Sequence, residues 1–149
     1  MKNIRNFNIR TDLWYETGDG FWLDVHGNTA RIGMSPLVQE TTGSFVAINL
    51  NKEATPLARG ESFGSLEAEK HVGHLKAPVS GKIVTVNPKV LENPRLINTD
   101  PYGKGWLVEI EMNRFEEEKQ NLLKGEVEVT AWFESEIAKY EDKGWIAES

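Results

Sequence analysis

The residue best placed to do chemistry in this chain is Lys70, in the polar triplet Glu69-Lys70-His71 between two apolar-rich runs. Phe63, Leu66 and Ala68 supply apolar positions before the triplet, and Val72, Leu75 and Ala77 supply them after it. The pattern predicts a strand, a tight turn and a second strand, closed by the stop Pro78-Val79-Ser80-Gly81. Three polar residues together are too costly for a core, so they must form the tip of the hairpin. A lysine at such a tip offers an exposed amine on a flexible stem, suited to forming a stable amide with a carboxylic acid. Taken alone, a lysine there is more commonly an ordinary surface residue.

Other chemistries find less support. His71 and His74 have a spacing that can serve a metal, but on a strand it places them on opposite faces. His26 is distant in sequence and no carboxylate cluster completes a set, so no metal site is expected. The chain has no cysteine, which excludes disulfides, zinc-thiolate sites and thiol catalysis by its own side chains. No glycine-rich phosphate loop, Ser/His/Asp set or paired-carboxylate signature occurs, so the chain does not read as an enzyme. A net charge of −6 without any basic run argues against nucleic acid. The N-terminus lacks the apolar stretch of a signal peptide and nothing approaches a membrane span, so a cytoplasmic location is the expectation.

The elements that must position Lys70 are short. Thirteen glycines and six prolines are scattered through 149 residues as punctuation, which favours many small elements over long helices. Residues 1–13 read as an edge strand or an arm lying on the body. Phe21–His26 and Thr29–Met34 read as strands joined at Gly27-Asn28. Ser35-Pro36 reads as a cap for a helix over Leu37–Thr42 that stops at Gly43. Ser44–Leu50 alternates as a strand with Phe45, Ala47 and Leu50 to one side, and Asn51–Arg59 is a loop. Lys82–Asn87 is a β-branched strand, and Val90–Asn98 is a helical or turn segment broken by Pro94. Trp106–Met112 alternates with Trp106, Val108, Ile110 and Met112 inward, and Asn113 caps a helix from Arg114 to Leu123. Glu126–Thr130 alternates like a strand, yet Val129, Phe133, Ile137 and Tyr140 form a helical stripe. The stripe favours a helix from Val127 to Lys143, stopped at Gly144, with Trp145 and Ile146 folding back.

These elements predict a β-rich α+β fold, a sandwich or flattened barrel with short peripheral helices and a C-terminal helix. Residues 1–149 are expected to form one domain, with 113–149 a helical extension packed on it. The tryptophans and phenylalanines are most simply core. Glu116-Glu117-Glu118 reads as a solvated helix face near an N-terminus, or as an electrostatic handle for a basic partner.

Two blocks carry a resemblance. Leu66-Glu67-Ala68-Glu69-Lys70 with Pro78-Val79-Ser80-Gly81 resembles the lipoyl-lysine hairpin of the glycine cleavage system H-protein family. Asn87, Leu91, Asn93-Pro94, Leu96-Ile97-Asn98, Asp100-Pro101-Tyr102-Gly103 and Gly105-Trp106-Leu107-Val108 match a second family block at the right spacing. The resemblance runs from Phe21 to Met112 and implies a barrel-sandwich hybrid fold. It also implies lipoic acid carried covalently on Lys70 as a swinging arm, with no catalytic machinery in the protein. Glu67 matches the family's acidic residue and, with His71, would serve recognition by a lipoate-attaching enzyme or the environment of the arm. Gly64 and Gly81 match positions that set backbone geometry at a tight bend.

Departures from the family bear on the pathway. Its His-Glu-Trp appears here as Gly20-Phe21-Trp22, positions 71 and 74 are histidines, and the tail after Met112 is longer and more charged. The first and last of these favour, by a small margin against the matching Asn98-x-Asp100-Pro101-Tyr102-Gly103 block, an H-like carrier of sulfur-bonded intermediates in heterodisulfide-reductase-like sulfur oxidation. The alternative is the H protein itself, which shuttles an aminomethyl group from glycine decarboxylase to the tetrahydrofolate-dependent partner. A short H-like carrier linked to sirtuin and macrodomain partners shares the hairpin. A non-lipoylated interaction domain is a further alternative. Biotin fits less well, because biotin hairpins place methionine on both sides of the lysine.

Overall fold

In the computed structural model, which describes residues 1–145, the β-branched and aromatic runs become short strands punctuated by glycine. The N-terminal residues form a hairpin, β1 (Lys2–Ile4) and β2 (Phe7–Ile9). Then come β3 (Trp14–Glu16), β4 (Phe21–His26), β5 (Thr29–Met34), α1 (Gln39–Thr42) and β6 (Phe45–Leu50). β7 (Pro56–Leu57) is a two-residue strand inside the expected loop, and β8 (Ser62–Ala68) and β9 (Val72–Lys76) are the central hairpin. β10 (Gly81–Val86), α2 (Pro88–Glu92), α3 (Leu96–Thr99) and β11 (Val108–Met112) follow. The chain continues through α4 (Phe115–Glu118), a 3-10 turn (Lys119–Asn121) and α5 (Glu126–Asp142).

One sheet has the order β3-β4-β5-β11-β10-β7 and another the order β6-β8-β9, with every pairing antiparallel. Phe21, Leu23, Ile32, Phe45, Phe63, Leu66, Leu75, Ile83 and Ile110 fill the space within this barrel-sandwich hybrid. A second core lies outside it. There Ile4, Ile9, Leu13, Tyr15, Trp22 and Leu37 meet Val129, Phe133 and Ile137 of α5. The tail is therefore helical because its 3.6-residue stripe has an apolar surface to cover, at about 2 kcal/mol per large side chain buried. Gly144 at φ +75° ends α5, with its N–H on Glu141 O and the Trp145 N–H on Tyr140 O. This is the paired bonding of a glycine-terminated helix, and Trp145 packs on Tyr140. The expected fold-back of Ile146 lies outside the described residues.

Several local expectations are corrected. Helix α1 begins at Gln39 rather than Leu37, because 36–38 form a turn and Val38, not Ser35, precedes the helix. A bulge between Phe45 and Ala47 shifts the β6 register, so Phe45 and Ile48 face the core and Leu50 is only partly covered. Trp106 precedes β11 and is half-buried under the Arg31 guanidinium, 4.5 Å from the ring centroid. The expected helix from Arg114 to Leu123 is one turn of α-helix and a 3-10 turn, and Asn113 does not cap it. No helix among the described residues is long and apolar enough to cross a membrane.

Candidate functional site

The β8–β9 hairpin ends in Glu69, Lys70 and His71, all exposed. The Ala68 N–H donates to His71 O at 2.8 Å, which closes the turn. A strap then ties this tip to residues 42–44. Lys70 N–H donates to Thr42 O at 2.8 Å, Glu69 N–H to Ser44 O at 3.1 Å, and the Ser44 N–H to Glu69 Oε1 at 2.7 Å. The Ser44 amide holds the Glu69 carboxyl below its ordinary value. Burial moves Glu40 the other way, partly offset by the nearby Lys70 charge.

Asn98 stands behind the strap. Its Oδ1 accepts from Phe45 N at 2.9 Å, and its Nδ2 donates to Gly43 O and Gln39 Oε1, each at 3.3 Å. Gly43 has φ +73°, and a Cβ there would press on Glu69 Cβ and Oε1 at 3.0 Å, so glycine is required. The two sequence blocks are thus linked through the strap: Asn98 of the second holds Gly43 and Phe45, and residues 42 and 44, beside and between them, hold the tip of the first.

The rest of the second block is equally concrete. Asn87 is buried, caps α2 through Lys89 N, and donates Nδ2 to Lys104 O and Trp106 O. Pro101 O accepts from Trp22 Nε1 at 3.0 Å, and the Tyr102 hydroxyl meets that of Tyr15 at 2.6 Å. Burial raises the Tyr102 phenol to about 12.

Glu67 lies exposed on β8 between Ala47 and Val72. Val72 is 74% exposed rather than part of the core. Strand alternation explains the correction: Leu75 faces inward, so residues 72 and 74 face out. Gly64 and Gly81 lie within strands, not at bends. A Cβ on Gly64 would strike Asn49 O, and one on Gly81 would strike Glu111 O, so each permits close backbone approach.

His71 and His74 line the same cleft, of about 350 Å³, with Phe21, Met34, Trp132 and Glu136 among its other walls. The His71 ring lies over Gly73, on the face opposite His74 as expected, and the cleft reaches both around the end of the hairpin. His26 sits in a separate groove, 3.0 Å from Asp24. No group of three or more potential metal ligands occurs among the described residues.

Sequence reasoning missed two features. Trp132, Glu136 and Tyr140 of α5 wall the cleft, and of these only Tyr140 lies on the stripe read from the sequence. Glu118 is not simply solvated, since its carboxylate accepts Ser80 N at 2.7 Å and Ser80 Oγ at 2.6 Å. That contact pins the turn after the hairpin.

An antiparallel barrel-sandwich hybrid with an exposed lysine at a braced hairpin tip defines a carrier class of protein. Comparison sharpens this. The profile described as "Glycine cleavage H-protein" matches residues 13–135. A glycine cleavage system H protein of Carboxydothermus hydrogenoformans is 43% identical over 105 residues, covering 70% of this chain and 80% of that protein. A probable glycine cleavage system H protein 2 of Sulfurisphaera tokodaii is 38% identical over 123 residues, covering 80% and 83%. The crystal structure of a glycine cleavage system H protein from Mycobacterium marinum superposes with a TM-score of 0.65 at 36% identity, covering 70% of this chain and 87% of that one. The chain belongs to the glycine cleavage H-protein family. Members of this family carry covalent lipoate on a lysine and are carriers, not enzymes.

Proposed function

We propose that Lys70 bears the lipoyl group and that this carrier serves glycine cleavage, moving the aminomethyl group between glycine decarboxylase and the aminomethyltransferase. The observation that carries the assignment is the braced tip: an exposed amine on backbone held by Thr42 and Ser44, with Asn98 bonded to Gly43 and Phe45 on either side of Ser44. The residues fit the group. Lys70 is exposed at the tip and makes no ion pair within 4.0 Å among the described residues, and a cleft with apolar and polar walls opens beside its hairpin. The lipoyl dithiol supplies the reversible sulfur chemistry. The protein supplies a fixed pivot, with Glu67 exposed three residues away where an attaching enzyme can read it.

The relatives named above support glycine cleavage over sulfur oxidation. The departure at Gly20-Phe21-Trp22 also has a packing account. Phe21 is buried against Phe63 at 5.6 Å between ring centroids, and Trp22 lies across Gly33. A buried phenylalanine there needs no change of cargo to explain it. On this reading the protein works in the cytoplasm beside the enzymes that load and unload it.

The test is intact-mass analysis after treatment with a lipoate ligase and lipoate, with the Lys70 peptide fragmented. One lipoyl addition on Lys70, absent in Lys70→Arg, is expected, and weaker labelling in Glu67→Gln. Labelling that survives Lys70→Arg overturns the assignment, and a wild-type chain that takes no label favours an interaction domain. Incubating the lipoylated protein with glycine and glycine decarboxylase should then add an aminomethyl mass. A sulfur adduct on protein from its native source would return the carrier to sulfur oxidation.

A further inference from the structure

We propose that His74 takes the proton of a reduced lipoyl thiol at its Nε2, so that the carrier itself helps to make the arm nucleophilic. This rests on the reading of Lys70 as the lipoylated residue. The first support is hydrogen-bond accounting. The Ser62 hydroxyl donates to Gly64 O at 2.8 Å, which uses its single proton, while Ser62 Oγ lies 3.3 Å from His74 Nδ1. Assigning the hydroxyl proton to the shorter of these two contacts makes Nδ1 the donor to Ser62 Oγ and puts the lone pair of a neutral His74 ring on Nε2.

Position is the second support. His74 is an exposed residue on the wall of the cleft that opens beside the Lys70 hairpin. It lies four residues beyond Lys70, roughly 13 Å at the rise of an extended strand. A lysine stem prolonged by the lipoyl acyl chain covers that span, which brings the dithiol rather than the amide to His74. The His71 ring lies over Gly73, on the strand face opposite His74.

The surroundings suit a base. Asp19 from the β3–β4 loop and Glu136 from α5 are the carboxylates on the cleft wall, and Glu136 is paired with Lys139 at 3.2 Å. Lys76 is the other charged residue on β9. Tyr140 is held above its ordinary value by burial, so its phenol stays protonated at neutral pH and does not compete as a base. In the step the S–H bond breaks, its electron pair stays on sulfur, and the proton joins Nε2. No electron changes hands. The thiolate, not the thiol, is the reactive nucleophile.

The test compares mass-verified, fully lipoylated and reduced wild type with His74→Gln, His71→Gln and His26→Gln. The alkylation rate of the arm by iodoacetamide is followed across pH, together with the histidine ring resonances before and after lipoylation. Glutamine at 74 keeps polar contact with Ser62 but has no basic nitrogen. At neutral pH the wild type should react about tenfold faster than His74→Gln, one unit of thiol ionisation. His71→Gln and His26→Gln should follow the wild type, and lipoylation should shift the His74 ring resonances while leaving those of His26 in place. Superimposable pH profiles for wild type and His74→Gln overturn the proposal with the lipoyl reading intact. Absence of the lipoyl mass on Lys70 overturns both.

Discussion

Phe63 and Phe133 are both fully buried, yet they belong to cores built in different ways. Around Phe63 the packed side chains come from strands that are also joined edge to edge by backbone ladders. Around Phe133 the parts are the N-terminal hairpin, residues 13–22, Leu37 and α5. Side chains dominate there, with an Arg5–Glu141 ion pair and the reciprocal Tyr15–Leu123 backbone bonds at 2.9 and 2.8 Å. The first core holds the hairpin that presents Lys70. The second holds α5, and with it one wall of the cleft. Presentation of the amine and shaping of the cleft are thus assigned to separately packed regions.

Phe63→Ala should have the largest effect, about 4 kcal/mol in chemical denaturation, with loss of lipoylation as the hairpin loses its support. Phe133→Ala should cost about 3 kcal/mol, because α5 can partly close the gap, and Lys70 should still accept lipoate. Equal loss of labelling in the two variants would erase the distinction between the regions. Asn98→Ala, at the brace, should cost about 1–2 kcal/mol through unpaired backbone groups at Gly43 and Phe45. Its mark is disproportionate: amide exchange at Ser44 and Lys70 should speed up while exchange in β10 and β11 stays slow.

Acid should produce the smallest effect. Glu69 is depressed by the Ser44 amide, so its contribution is present above the ordinary carboxylate value of 4.5 and is lost as pH falls through its lower folded value. The Ser44 amide shift should titrate in that range without global unfolding. A Ser44 resonance that ignores pH there would remove Glu69 from the strap.

Much of this was legible in sequence where one residue type had one physical reason. Gly27-Asn28 marked a hairpin, the Phe63, Leu66 and Ala68 positions marked a buried face, and Val129, Phe133 and Ile137 marked a helix stripe. The failures came where registry or distance decides. The bulge at Phe45–Ala47 changes which side chains face in, and no local signal announces it. Val72 is apolar in type, yet two-residue alternation from Leu75 places it outside, where it is exposed. The cleft that His71 and His74 both line is walled by α5 from far along the chain, and the Ser80–Glu118 contact joins residues 38 apart. Asn98 matched a pattern in sequence. Its reason, holding the strap that braces a tip 28 residues earlier, exists only in three dimensions.

The strap on residues 42–44 has a consequence for how the carrier meets its enzymes. A pivot that is already ordered does not need to surrender backbone entropy when a partner docks, so the cost of association falls on the side chain alone. Once a partner is bound at the barrel, the sulfur end of the arm explores a volume set by its tether length about a stationary point. Its effective concentration at the partner's active site is then a geometric constant. Loosening the strap would spread that volume and dilute the cargo where it is needed, even with every atom of the arm unchanged.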